Sequence, residues 1–579
     1  MSCSEKLDAY IEARTELPER NLAWRLYGAG LDNFGDNGHP AVLPMPSVGD
    51  DELLARIDAV GLCFSDVKLI TQGSSHPRIV GRNLIEKPVI PGHEVALTIV
   101  GVGKRLQDIF SIGQRFVMQA DVYYRGVNVA FGYQLAGGTQ QFVILGEEVL
   151  RGDEGCYLIP VQSDTGYAEA ALTEPWACVI ASYRINPRRG FKDGGTALFI
   201  GPAGKSKYLF PEGKPAKVIL AGVGHSVDRN RFEGAEILEI GDLRPSDVKM
   251  LSQERTGERG FDDILVLSDC SREMIEALDR SAARGAVINL VGFESREFEA
   301  SIDVGRVHYD GVLYVGGRDI IDGYTDTRSS ELKSGGAAWF VGAAGPMGVM
   351  HVERALLVKD GPANILATDV DSNRLLELQG RTEFAALARG RKILFVNPNE
   401  NGQDALYNAV DELTSGKGFD DIVVLAPVAG LIGEASKMLA DGGVLNIFAG
   451  VPRGTIAEMD VASVYRRRVR WMGSSGSRPA DLVYTLNLAE SGEIATNRSV
   501  AAIGGIDAVL DGMRAVKNAL FPGKIVIYPQ ILGFPLTAIT DLKELLPSVY
   551  EKMEDGRFWT NEAEKELLCI MLEKQSAYL

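Results

Sequence analysis

Two lines of this sequence are almost the same: RGFDDILVL from Arg259 to Leu267 and KGFDDIVVL from Lys417 to Leu425, about 158 residues apart. Each copy follows TG or TSG. Each leads through a helix-like stretch into a small-residue run, AARGAVINLVGF or LADGGVLNIFAGV. A match this long, with its neighbours in the same order, points to a duplicated structural unit. The pattern before each copy repeats as well. GGTALFIGPAG at Gly194 and GGAAWFVGAAGPMG at Gly335 open the two passes, and PAKVILAGV and PANILATDV follow as second strands. Apolar strand-like runs alternate with helical segments throughout, which is the pattern of a doubly wound parallel sheet. Two tandem nucleotide-fold units are therefore expected, at about 191–330 and 331–478. Gly260 and Gly418 would each precede a buried strand, so the repeated line belongs to the framework of the fold.

The rest of the chain reads differently. From about Trp24 to Val161, short β-rich runs such as LLARIDAVGLC, VALTIVGVG and TQQFVIL are separated by glycine-rich turns. A β-rich domain is expected over residues 1–190. The tail returns to a mixed pattern, with FPGKIVIYPQI as a strand and NEAEKELLCIMLEKQ as a closing helix. A chain of 579 residues is too long for one core. Its net charge of -18 argues against a nucleic-acid partner and against anionic membranes. No apolar run is long enough to span a bilayer, and the N-terminus lacks the apolar stretch of a signal peptide. Cys3, Cys63, Cys156, Cys178, Cys270 and Cys569 form no C-x-x-C pair, which argues against a disulfide framework or a four-cysteine zinc site and for the cytoplasm.

Chemistry is carried first by three separated elements. GLCFSDVKLI holds Cys63, PGHEVALTIVGVG supplies His93 and Glu94, and LTEPWACVIAS supplies Glu174. A lone cysteine is usually a small buried apolar residue, and a lone His-Glu pair is usually no more than that. Together, in order and ahead of a nucleotide fold, thiolate, imidazole and carboxylate suit a zinc ion that keeps an open position for substrate. Such an ion is a Lewis acid for a carbonyl or an alcohol. Cys178, four residues after Glu174, reads as a small core residue, and His76, His225, His308 and His351 read as structural or exposed.

The second nucleotide fold has what a dinucleotide needs. WFVGAAGPMGVMHVERAL gives Gly342, Gly345 and Gly348 ahead of a helix, and NILATDVDSNR places Asp369 at the end of the next strand. The backbone can approach a pyrophosphate at the turn, and the acid can bind ribose hydroxyls. Ala343 breaks the usual glycine spacing, so Gly342 serves the turn instead. Asp369 would repel a 2′-phosphate and so favours NAD over NADP, with Arg374 nearby as the feature on the other side. The first fold lacks these devices. It keeps Gly201 and Gly204, but Lys205 and Ser206 stand where a third glycine belongs. Pro211 and Gly213 interrupt the helix, and KVILAGVG ends without an acid. GPAGKS is not a P-loop, because Phe199 occupies the position of its first glycine. This unit reads as a scaffold copy.

GLCFSDVK, PGHE, TEPWAC and GAAGPMG match in order the pattern of the zinc-dependent medium-chain dehydrogenase/reductase superfamily, which the chain resembles. The resemblance covers about 430 residues and is closest to the L-sorbose-1-phosphate reductase-like branch, through GYQLAGGTQQFVILGEEVL, GKGFDDIVVLAP and the FPLTAITDL to FWTNEAEKELL tail. It implies an α/β architecture: a GroES-like β-rich catalytic domain plus two tandem Rossmann-like doubly wound domains, with 479–579 returning to the catalytic domain. It implies that Cys63, His93 and Glu174 bind zinc, that Glu94 is a ligand or sits behind one, and that Ser65 relays the alcohol proton. Asp66 would hold its loop by hydrogen bonds. Gly342, Gly345, Met347, Gly348 and Asp369 resemble the cofactor set. The four cysteines of a structural zinc lobe are missing, so one zinc per chain is expected. The unit at 191–330 departs from the family plan.

The function expected is hydride transfer between NAD(H) and a secondary alcohol or ketone of a polyol, sugar or sugar phosphate, in a homo-oligomer with a dimer favoured. Arg78 and Arg82 are candidates for a substrate phosphate. One alternative is an epimerase or lyase that recycles its NAD internally. The other is a non-catalytic NAD-binding scaffold, against which the complete metal set argues.

Overall fold

Twelve strands of the repeated region pair edge to edge in a single sheet. In this computed structural model, residues 3–202, 207–225, 227–325 and 328–575 are described. They form two compact units, Met1–Ile180 with Gly476–Leu579, and Ala181–Ser475.

In the second unit the first repeat gives β1 (Thr196–Ile200), β2 (Lys217–Ala221), β3 (Glu236–Ile240), β4 (Phe261–Val266), β5 (Ala282–Val291) and β6 (Leu313–Gly317). The second repeat gives β7 (Ala337–Val341), β8 (Asn364–Thr368), β9 (Lys392–Val396), β10 (Phe419–Val424), β11 (Leu439–Ile447) and β12 (Arg470–Met472). Their order is 3-2-1-4-5-6-12-11-10-7-8-9, two doubly wound half-sheets joined at β6 and β12. Within each half the strands are parallel, but the join is antiparallel, with Tyr314 opposite Trp471 and their rings 5.1 Å apart. Beside it, Glu299–Asp303 pairs antiparallel with Ile456–Asp460, placing Ser301 opposite Glu458. Tyr314 and Trp471 are equivalent positions of the two repeats, and so are Ser301 and Glu458. A contact in which each residue meets its own counterpart is that of a two-fold interface, made here inside one chain.

The repeated line holds each half together at its entry. Asp262 accepts from the Lys192 ammonium at 2.6 Å and the Thr196 amide at 2.9 Å, and Asp420 accepts from Lys333 at 2.5 Å and the Ala337 amide at 3.0 Å. Asp263 takes the Lys192 amide at 2.9 Å and pairs with Arg188. Asp421 takes the Lys333 amide at 2.8 Å and pairs with Arg328. The glycine before each line turns at φ +84 (Gly260) or φ +81 (Gly418). A Cβ there would lie 2.7 Å from the Ser281 or Met438 carbonyl oxygen, so only glycine fits.

The halves differ at the end of their first strands. After β7 comes the helix Pro346–Leu357, but no helix lies between β1 and β2 among the described residues. Gly204, Lys205 and Ser206 lie outside those residues.

The first unit is built on an eight-stranded sheet ordered Thr537–Ala538, Val500–Gly505, Lys524–Tyr528, Leu53–Leu62, Glu94–Val102, Arg115–Met118 and Leu158–Pro160, with Phe142–Leu145 also against Leu53–Leu62. The C-terminal segment supplies the first three of these, and its helix Asn561–Gln575 packs on Cys3–Ile11. Cys569 in that helix is disulfide-bonded, so the expectation of a chain without a disulfide framework holds only for Cys63, Cys156, Cys178 and Cys270, which are free thiols. No described helix is long and apolar enough to cross a membrane.

Because Asp421 is buried, removing its partner leaves an uncompensated charge. Arg328→Met is expected to destabilise the Ala181–Ser475 unit by about 3 kcal/mol, and Arg328→Met/Asp421→Leu to recover most of that loss. Urea unfolding midpoints of the full chain check both.

Candidate metal and cofactor sites

Cys63 follows the buried central strand Leu53–Leu62 and caps the helix Phe64–Gln72; His93 and Glu94 stand where the facing strand begins. The antiparallel register puts Gly61 opposite Glu94. That glycine leaves the room Glu94 occupies: a Cβ on it would lie 2.1 Å from Glu94 Oε2. The result is a cluster in which one ligand atom each of Cys63, His93 and Glu94 lies within 4.8 Å of the others.

Asp66 organises the cluster. Its Oδ2 accepts from the Cys63 amide at 3.0 Å, while its Oδ1 takes the Gly92 amide at 3.2 Å and faces His93 Nδ1 at 3.0 Å. One carboxylate thus ties the cysteine loop to the histidine loop. With Nδ1 engaged, Nε2 is the nitrogen left for a ligand, and it lies 3.3 Å from the half-buried Ser65 Oγ. Burial disfavours a charged His93, and the Asp66 carboxylate outweighs it, so the imidazole is held well above its ordinary pKa.

Sequence reasoning missed Lys524. Its ammonium donates to Glu94 Oε1 at 2.6 Å, with both side chains buried. Burial alone would lower the lysine pKa, but Glu94 raises it above the ordinary value, so the lysine stays charged. A lysine opening the otherwise apolar strand KIVIY was the available signal. Glu94 Oε2, by contrast, is buried with no hydrogen-bond partner. An orphaned carboxylate oxygen beside a thiol and an imidazole nitrogen is the donor set of a zinc-type ion with an open position. The residues fit the metal.

Glu174 falls outside that cluster. It lies at the start of helix Thr173–Ser182, with the Cys178 thiol 3.8 Å from its Oε1. Burial pushes its carboxyl up to about 7, with His93 pulling it down and Glu94 pushing it up. It is a neighbour of the cluster, whereas Glu94 is a member. Arg82 donates to the carbonyls of Lys87, Tyr133, Gln134 and Pro88, so its guanidinium is spent on loop structure rather than held for a phosphate. Arg78 pairs with Asp121 at 2.8 Å and lies over the Tyr133 ring, which is 6.0 Å from the His93 ring. His76 stacks on the same tyrosine, His225 is exposed, and His308 and His351 are buried with hydrogen-bond partners Ile447 and Tyr183.

In the second unit, Gly342 leaves β7 at φ +82, where a Cβ would lie 2.9 Å from the Ala426 nitrogen. Gly345 caps the helix Pro346–Leu357, and the space around its Cβ position is open to 4 Å. A Cβ on Gly348 would strike Ala343 O at 2.4 Å, which fixes the tight packing of helix on turn. Met347 is half-buried in the first helical turn. Asp369, just past β8, accepts from the Ala344 amide of the turn at 2.9 Å. The acid and the glycine turn are therefore in contact, around a helix N-terminus suited to a pyrophosphate. Arg374 is held by Asp371 at 3.3 Å.

Comparison with known proteins agrees with this chemistry. The alcohol dehydrogenase GroES-like domain family matches residues 49–152. Mannitol-1-phosphate 5-dehydrogenase of Aliivibrio fischeri is 24% identical over 538 residues, covering 90% of this chain and 93% of that protein. L-sorbose 1-phosphate reductase of Klebsiella pneumoniae is 23% identical over 563 residues, covering 95% and 98%. Sorbitol dehydrogenase of Bacillus subtilis is 27% identical over 273 residues, covering 44% and 71%. The chain thus carries a match to an alcohol dehydrogenase GroES-like domain and is similar over nearly its whole length to proteins named as sugar-phosphate dehydrogenases and reductases.

Asp66→Asn keeps the shape but weakens the hold on His93. It is expected to lower zinc affinity about 10- to 100-fold with unchanged circular dichroism; competition with a chromophoric chelator measures it.

Proposed function

We propose that the chain is a zinc-dependent oxidoreductase that interconverts a secondary alcohol and a ketone of a polyol or sugar phosphate, with NAD(H) as the redox partner. The observation that carries this reading is the Cys63–His93–Glu94 cluster with its orphaned Glu94 Oε2. Full-length similarity to relatives named for mannitol 1-phosphate and L-sorbose 1-phosphate supports the phosphorylated substrate class.

Zinc bound by Cys63, His93 and Glu94 would supply Lewis-acid polarisation of the substrate oxygen. The protein's own residues do the rest. Asp66 fixes the imidazole's orientation, and Lys524 fixes one oxygen of Glu94 so that the other faces the cluster. Ser65 stands at the border of the cluster and solvent, and its hydroxyl is placed to pass the alcohol proton outward. Tyr133, its pKa raised by burial and hydrogen-bonded to Ser65, keeps a neutral phenol against that hydroxyl. Glu174, protonated or not near neutrality, is the next carboxyl along. Arg78, half-exposed beside Tyr133, is the cation positioned for a substrate phosphate. In the second unit, the Gly342–Gly348 turn receives the pyrophosphate and Asp369 the adenosine ribose, and the acid disfavours a 2′-phosphate.

The zinc-loaded protein is expected to oxidise NADH with ketose 1- or 6-phosphates and to use NADPH at least tenfold less well. Cys63→Ala should lower kcat/KM by about 1,000-fold or more, and Arg78→Ala should raise KM for the phosphorylated ketose without changing that for the free sugar. Absence of NADH turnover across phosphorylated and free ketoses in protein with one bound zinc would overturn the reading. So would product formation with flat NADH absorbance, which marks internal recycling.

A further inference from the structure

Each repeat of the second unit is a control for the other: where equivalent positions differ, the fold does not demand the difference. Beside the join, the first repeat runs Tyr309-Asp310-Gly311-Val312-Leu313, and the second runs Arg466-Arg467-Arg468-Val469-Arg470. Gly311 takes a left-handed turn at φ +63, and Leu313 is buried at 7% exposure. In the second repeat Arg468 makes the same turn at φ +55, and Arg470 is buried at 6%. A left-handed conformation is unfavourable for a non-glycine residue, and a guanidinium in place of a leucine side chain must be desolvated. The first repeat closes the same turn with glycine and leucine. These arginines are therefore kept for something other than closing the fold.

What they share is a cavity. Arg318, Arg328, Arg466, Arg467, Arg468 and Arg470 line a space of about 510 Å³, in which Asp441 is the one lining carboxylate. Three further acids reach the same arginines: Asp421 pairs with Arg328, Asp460 lies 3.7 Å from Arg467, and Asp322 lies 3.8 Å from Arg468. Arg466 donates to the Arg296 carbonyl at 2.8 Å. Among the described residues, six guanidinium groups face four carboxylates here, in a chain of net charge -18. Arg318 follows the end of β6, so the cavity lies at the carboxyl end of that strand, beside the join. Because β6 and β12 are antiparallel, the Gly342 turn lies on the opposite edge of the sheet.

We propose that this cavity is a second anion site, taking a small molecule with two or more phosphoryl groups and separate from the cofactor turn. Guanidinium forks match phosphoryl oxygens in pairs, and the volume suits a metabolite-sized ligand. The inference does not rest on the catalytic reading of the first unit.

The test is calorimetric titration of the full chain with inorganic pyrophosphate at low ionic strength, in saturating NADH to fill the cofactor turn. One site per chain with micromolar affinity is expected. Arg468→Gly/Arg470→Leu installs the first repeat's own residues and so preserves the fold; it should weaken pyrophosphate at least tenfold while NADH affinity stays unchanged. Arg318→Ala, at an exposed position, should weaken it several-fold. No binding in the wild type up to millimolar pyrophosphate, binding abolished by NADH, or full affinity in the double variant would each overturn the proposal.

Discussion

Two adjacent aspartates in each repeat fasten the segment entering a six-stranded half-sheet to its fourth strand. Asp262 and Asp420 take a lysine and a backbone amide; Asp263 and Asp421 take an arginine and a second amide. Burial pushes the Asp421 carboxyl up to about 6 even against the pull of Arg328. A pair with that desolvation cost adds little net stability, and what it supplies is specification of which segment lies where. Both copies of the line survive for this reason. The clasp fastens the entry to the first strand of each half beside the fourth strand, with which it is in parallel register.

The join between the halves depends on that register. Once each half is set, its sixth strand presents an open edge, and an open edge is an aggregation hazard unless something pairs with it. Here the two edges pair with each other, with Tyr314 against Trp471. Neither half then needs a second chain to close that edge. This gives the first repeat a structural role that requires no nucleotide, consistent with the lack of a described helix after β1. It also frees residues beside the join to diverge, and the arginines at 466–470 are where they have done so.

The metal cluster depends on a different economy of contacts. Asp66 serves three groups at once, and Gly61 leaves the space that Glu94 fills. Lys524 comes from the far end of the chain to neutralise one oxygen of that carboxylate. The cluster is therefore assembled from three strands and a helix start, none of which holds it alone.

Much of this was legible in the sequence. Period and small-residue turns gave the two nucleotide folds; three separated motifs pointed to Cys63, His93 and Glu174, with Glu94 as a ligand or behind one; and the glycine turn with Asp369 marked the candidate dinucleotide site. These features are local, set by backbone conformations that only glycine adopts and by side chains within a few residues of one another. The proximity of Glu94 to Cys63 and His93, the Lys524 partner, the engagement of Arg82 with carbonyls and the joining of two half-sheets were decided only by the tertiary structure. Each depends on which distant segments are brought within a few ångströms, and that is settled by strand register and packing rather than by spacing along the chain.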